Sequence, residues 1–352
     1  MAYSVRRKFP SLESTFITPE SQVGYVFKLA VSSDERQCML ATQDRCLRLI
    51  DLERFSLISQ ISPAHDSTIT DVQSVPSMPN LWISASNDGL AKVWDTRQTD
   101  PVVSVKVSPN TYDAPVFAAS VSSSGTCAVS CGTEISLFKF GEWRKYFAYT
   151  ESHFDNISCM RFANQSDMLI SGGDDGLVNV CNTLDLVNED NGQAPVITLN
   201  CEDSVRSFHL SGSKMFVFST TESASVWDTQ TGTKLIPNVD SIRCHPLIAS
   251  DETGWGYIVG MNDSGSRLLA GNSDGKLVEF ETDSFNVTNI FNSAHSGVVR
   301  ACHYTKTGSV LTAGEDGYLY EWGTFSGAAE GDSFHETGRS RSARSSVSAR
   351  PY

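Results

Sequence analysis

Long apolar runs are missing from this sequence: no stretch approaches the ~20 consecutive apolar residues that a membrane-spanning helix requires. The opening residues, MAYSVRRKFPSLEST, contain no apolar segment of the kind a secretory signal carries, so an intracellular protein, nuclear or cytoplasmic, is expected. Basic residues are also scarce. Lys and Arg number 27 against 41 Asp and Glu, a formal net charge of −14. That balance disfavours attachment to nucleic-acid phosphates or anionic lipid and points to proteins as partners. The nine cysteines form no disulfide framework: their number is odd and they are scattered, mostly in strand-like runs, as buried thiols would be. Cys127 and Cys131 stand close together, but no second pair or flanking histidine completes a zinc site, so neither a metal nor any other cofactor is expected. Sustained helical periodicity is lacking throughout.

What is present is a repeated phrase. Ser84 to Thr96 reads SASNDGLAKVWDT, Ser171 to Thr183 reads SGGDDGLVNVCNT, and a third copy reads TAGEDGYLYEW. Asp88, Asp175 and Asp316 each lie six residues before Trp94, Cys181 and Trp322. A hydroxyl lies four residues before each Asp, at Ser84, Ser171 and Thr312, and a histidine farther upstream, at His65, His153 and His295. Weaker copies put Ile50, Phe138, Trp227 and Phe280 in the tryptophan place, so the series runs 50, 94, 138, 181, 227, 280, 322. A period near 44 residues matches the ~40–45 of a four-stranded propeller blade, and seven units close a ring. Within each unit, short alternating runs such as TITDVQSV and LAKVWDT are separated by Asn-Asp-Gly or Asp-Asp-Gly turns, whose residues tolerate the positive φ of tight hairpins.

These residues resemble the WD40-repeat family, with Trp-Asp present at Trp94-Asp95 and Trp227-Asp228. The resemblance covers about residues 12 to 323 and implies an all-β, seven-bladed propeller over 1–323, with a Ser/Arg-containing disordered tail over 324–352. It further implies that His65, Ser84, Asp88, Trp94 and His295, Thr312, Asp316, Trp322 form hydrogen-bonded structural tetrads, and His153, Ser171, Asp175 a set without its tryptophan. A catalytic triad needs a reactive hydroxyl in a cleft beside an oxyanion hole; a grouping that recurs in three units reads as architecture. No catalytic residue is assigned.

The last repeat offers three strands, and ESTFITP, near Glu13 to Pro19, is expected to supply the fourth and close the ring. The 53-residue gap between Trp227 and Phe280 holds an insertion placed before the strand YIVGMN. The runs TESHFDNISCMRF and HSGVVRACHY, with their following repeats, are most similar to the WD repeat-containing protein 89 family, which implies a scaffold in a nuclear or ribosome-biogenesis complex. WISASNDGLAKVWDTR resembles the WDxR box of cullin-type ubiquitin-ligase substrate receptors, with Asp88, Trp94, Asp95 and Arg97 as adaptor-docking residues; the same run is also ordinary blade sequence. Arg206, Arg243 and Arg300 are expected near one sector of the channel mouth, either as a local positive site for acidic or phosphorylated protein segments or paired with neighbouring acids. The expected protein is thus a monomer within a larger complex, without cofactor, membrane attachment or direct nucleic-acid contact by the propeller.

Overall fold

Alternating apolar residues rich in Val, Ile and Phe favour short pleated strands that bury their side chains against neighbouring sheets. In a computed structural model of the chain, the described residues are 2–10, 24–76, 78–107, 116–122, 124–150, 152–163, 167–184, 197–239, 244–248, 256–291 and 294–324. Among them, 28 strands fall into seven four-stranded antiparallel blades. The inner strands of blades 1 to 7 are Val26–Val31, Ile69–Val75, Val116–Val121, Ile157–Phe162, Val205–Ser211, Tyr257–Met261 and Val299–Tyr304. Side chains from these strands, among them Leu29, Gln73, Arg161, His209, Val259 and His303, surround a central cavity of about 440 Å³.

Each blade packs its face on the next, which is what a propeller needs in place of a single core. Ile83, Val93 and Val75 of blade 2 meet Val116, Val129 and Phe138 of blade 3. The ring closes in the same way, with Val26, Leu40 and Ile50 of blade 1 against Leu311, Ala313 and Leu319 of blade 7. The Asp-Gly turns behave as their composition requires: Gly89, Gly176 and Gly317 have φ of 81°, 78° and 73°, where a Cβ would be strained.

An N-terminal strand closes the ring, as the sequence implies, but it is Ala2–Pro10 rather than Glu13 to Pro19, which lie outside the described residues. It runs antiparallel to Tyr318–Thr324 as the outer strand of blade 7, with Tyr3 opposite Thr324 and Pro10 opposite Tyr318. Its first residues also pair in parallel with the outer strand of blade 6, Tyr3 opposite Phe291, so blades 6 and 7 form one eight-stranded sheet. The reason is in the side chains. Tyr3 stacks on Phe291 at 4.6 Å between ring centres, and Arg7 pairs with Glu321 and lies over the Phe55 ring of blade 1. The last strand ends at Thr324, and the Ser/Arg-containing segment after it, with the expectation of disorder placed on it, lies outside the described residues.

Within the long insertion, Cys244–Ile248 is described. Ile248 is fully buried between blades 5 and 6, and its carbonyl accepts from Asn272 Nδ2 at 3.1 Å. The described cysteines are free, and burial pushes the Cys127 and Cys302 thiols up to about 12, far from the thiolate form. Among the described residues, no group of three or more His, Cys, Asp or Glu side chains is arranged to hold a metal ion.

Candidate functional site

The three histidine sets lie on one face, where the loop entering each blade meets the turn between its second and third strands. In blade 2, His65 Nδ1 is 2.8 Å from Asp88 Oδ2, His65 Nε2 is 2.7 Å from Ser84 Oγ, and Trp94 Nε1 donates to that same Oγ at 2.8 Å. With a neutral imidazole every contact is satisfied when the indole N–H donates to Ser84, the Ser84 hydroxyl donates to Nε2, and Nδ1–H donates to the carboxylate. Blade 7 repeats this with His295, Thr312, Asp316 and Trp322, at 2.9 Å, 2.8 Å and 2.7 Å in the same order. In blade 4, His153 reaches Asp175 at 3.1 Å and Ser171 at 2.8 Å, and Cys181 stands in the tryptophan place. The bonding order is that of a serine protease triad, but Ser84 and Thr312 are 0% exposed and Ser171 is 1% exposed. A hydroxyl sealed from solvent cannot meet a substrate, and in blades 2 and 7 it already accepts an indole proton.

What the sets do instead is pin the loops. Each aspartate also accepts the backbone N–H of the residue after the histidine: Asp66 at 3.0 Å, Phe154 at 2.9 Å and Ser296 at 3.3 Å. Its other oxygen accepts an amide of the turn, from Leu90, Leu177 or Tyr318. Burial alone would raise the Asp88 carboxyl, but the His65 hydrogen bond, with the Asp66 and Leu90 amides, holds it below the usual carboxylate range.

Sequence reasoning missed a further position in these sets, four residues after each aspartate. Lys92 Nζ donates to the Ala64 carbonyl at 2.7 Å, Tyr320 Oη to the Ala294 carbonyl at 2.9 Å, and Asn179 Nδ2 to the Ser152 carbonyl. Each acceptor belongs to the residue before the histidine. The signal was a shared donor function at fixed spacing, hidden because lysine, asparagine and tyrosine look unrelated. Blade 1, which has no histidine, fills the same position with Arg48: its guanidinium is 2% exposed and holds Thr42 and both oxygens of Asp44. Although burial opposes it, Arg48 and Thr42 take the Asp44 carboxyl down to about 2.

Of the three arginines expected at the channel mouth, the two described, Arg206 and Arg300, are paired within the chain. Arg206 NH2 donates to the Ile258 carbonyl at 2.7 Å, clasping blade 5 to blade 6, and lies 3.3 Å from Glu222 Oε2. Thr70 and Ser158, at the equivalent inner-strand position, reach Val116 and Val205 of the next blade in the same way. Arg300 is paired with Glu315 through Nε at 2.8 Å and through NH2. Arg243 lies outside the described residues. Arg97 lies in the turn just after the third strand of blade 2, Leu90–Asp95, with a 71% exposed side chain, its Nε 2.8 Å from Asp95 Oδ1, and this hydrogen bond takes the Asp95 carboxyl down to about 2.

The blades and their repeated sets define a WD40-repeat β-propeller: the family described as WD domain, G-beta repeat matches residues 56–95 and 145–182, the stretches that contain the blade 2 and blade 4 phrases. Over 311 residues the chain is 22% identical to the WD repeat-containing protein 89 homolog of Dictyostelium discoideum, covering 85% of this chain and 82% of that protein. It is 24% identical over 173 residues to WD repeat-containing protein GTS1 of Arabidopsis thaliana, which is 48% of this chain and spans less than half, 44%, of that relative. A DDB1- and CUL4-associated factor 11 homolog of Caenorhabditis briggsae is 35% identical over 72 residues, 20% of this chain and 13% of its own length. WD40-repeat proteins act as protein-interaction scaffolds.

Proposed function

We propose that this protein is a non-enzymatic scaffold whose histidine-set face docks other proteins, working as a monomer inside a nuclear or cytoplasmic complex, with ribosome biogenesis as the setting. The observation that carries this reading is the use of the three His–Ser/Thr–Asp sets: the one constellation with catalytic composition is buried and fixes surface loops in place. Fixed loops lower the entropy that a partner must remove on binding. The similarity to WD repeat-containing proteins supports the scaffold role. Affinity capture on the intact chain, with partners identified by mass spectrometry, tests the setting. Recovery of ribosome-assembly factors agrees with it, and a stable partner set from another process overturns it.

A second reading has its own observation: Arg97, exposed just after blade 2's third strand in a WDxR sequence, with similarity to a protein named as a DDB1- and CUL4-associated factor. Under it the propeller is a substrate receptor of a cullin-type ubiquitin ligase. Arg97→Ala should then abolish capture of the cullin adaptor without changing the melting temperature, and absence of that adaptor from the wild-type capture ends the reading.

A further inference from the structure

The loop that enters blade 4 differs from its two counterparts in one respect. All three hold the residue after the histidine by the same amide-to-carboxylate hydrogen bond, so the backbone position is fixed equally in each. That residue is Asp66 in blade 2 and Ser296 in blade 7, as a solvent-facing position on a pinned turn should be. In blade 4 it is Phe154, whose side chain is 90% exposed, the most open large apolar residue among those described. The architecture gives no reason for a phenyl ring there, since two of the three sets are built without one. A rigidly mounted aromatic left open among the described residues has the character of an interface anchor.

The surroundings of Phe154 specify what it would meet. Asp155 follows it directly, and Asp174 lies across the turn, its amide donating to the Asn156 carbonyl at 2.9 Å; both are exposed. Among the described residues neither carboxylate has an ion-pair partner. Burial, and then the neighbouring charges of Asp155 and Asp175, push the Asp174 carboxyl up against a hydrogen bond from the Asn156 side chain, so negative charge is crowded here with, among the described residues, only Asn156 beside it as a hydrogen-bond donor to Asp155 and Asp174. A ring face beside uncompensated carboxylates suits a guanidinium or ammonium, which can lie over the ring while pairing at its edge.

Building on the scaffold reading, we infer that Phe154, Asp155 and Asp174 form the docking point for a basic, arginine- or lysine-bearing segment of a partner protein. This reverses the chemistry expected from Arg206 and Arg300, which are paired within the chain.

The test is fluorescence anisotropy with a labelled peptide of arginines spaced by glycine and serine, titrated with the intact protein at low and at physiological salt. The wild type should bind it, and a matched glutamate peptide should not bind. Phe154→Ser, which copies blade 7, should weaken binding about three- to five-fold at an unchanged melting temperature, whereas Phe154→Tyr should keep it. Asp155→Asn with Asp174→Asn should weaken it further and flatten the salt dependence. Asp283→Asn, a like charge change at a carboxylate 84% exposed elsewhere on the surface, should leave it unchanged. Equal affinity for the wild type and Phe154→Ser overturns the inference, as does equal loss from Asp283→Asn, which would mean attraction by net charge alone. A dimer by light scattering that Phe154→Ser dissociates also overturns it, because the ring would then cover a second copy. A purified partner that holds Phe154→Ser as tightly as the parent sinks this docking point and leaves the scaffold reading standing.

Discussion

Tyr3→Ala is the sharpest test of how the ring is closed. Tyr3 is 1% exposed, stacked on Phe291 with an interplanar angle of 11°, in a cluster with Leu269, Leu277, Val310, Tyr320 and Trp322 from blades 6 and 7. Emptying an aromatic site of this kind costs about 3–5 kcal/mol, from lost transfer free energy and from the cavity left behind. A chain of this size gains roughly 0.7 kcal/mol per kelvin of unfolding entropy, so the melting temperature should fall by about 4–7 °C. Tyr3→Phe removes only the hydroxyl that accepts from Arg267 at 3.3 Å and should cost under about 1 kcal/mol. Deleting residues 1–10 should do more: it strips the partner strand from Tyr318–Thr324 and leaves an open sheet edge beside Trp322, so light scattering should report aggregates as well as a lower melt. Calorimetry of the three variants decides the matter. A Tyr3→Ala protein that melts within about a degree of the parent would refute closure through this side chain.

Asp88→Ala and Asp316→Ala should each cost about 1–3 kcal/mol in urea unfolding, because a histidine Nδ1–H and two amides lose their acceptor; two parental curves would dismiss the pinning role. Asn179→Ala should destabilise blade 4 by about 1–2 kcal/mol, since it removes a buried donor to Ser152 and the acceptor that Thr198 uses at 2.7 Å, and a neutral result would show that water replaces it. Burial lowers the His209 and His303 imidazoles at the channel, where Asp263, Glu35, Arg161 and Lys306 are the charged neighbours. With folded values below the ordinary 6.5, their contribution is complete above that pH and is lost as pH falls through it toward the folded values. Melts at neutral and mildly acid pH should therefore diverge less in His209→Gln with His303→Gln than in the parent, and an identical pH slope would contradict this.

The ring was legible because its punctuation is local. Asp, Gly and Trp at fixed spacing mark a turn and the strand after it, and those spacings survive in the positions of Asp88, Asp175 and Asp316. That an N-terminal strand closes the ring was legible, but which residues form it was not. AYSVRRKFP reads as a basic, half-polar run, and its fitness to be a strand lies in Phe291, Trp322 and Glu321, some three hundred residues away. The arginines left two readings open in the sequence, a cationic site or pairing with neighbouring acids, because charge counting does not give geometry; the fold selects pairing, with Glu315 beside Arg300 and Glu222 and the Ile258 carbonyl beside Arg206.

Blade 1 shows what the repeat maintains. A half-buried carboxylate between two strands must be met by donors, or it costs more than the turn it stabilises returns. Blades 2, 4 and 7 meet it with an imidazole from the preceding loop, whereas blade 1 meets Asp44 with the guanidinium of Arg48 from its own third strand. The residue type changes and the electrostatic requirement does not. A histidine brings with it the loop that carries it, so blades 2, 4 and 7 gain a fixed surface position at the next residue, whereas Arg48 comes from a strand. Those three positions are equivalent in backbone and independent in side chain, which is the condition under which Asp66, Phe154 and Ser296 can diverge toward a partner without disturbing the ring. Under the docking proposed for this face, specificity is to be sought in what stands one residue after each histidine, and the set beneath it explains why that residue can be changed.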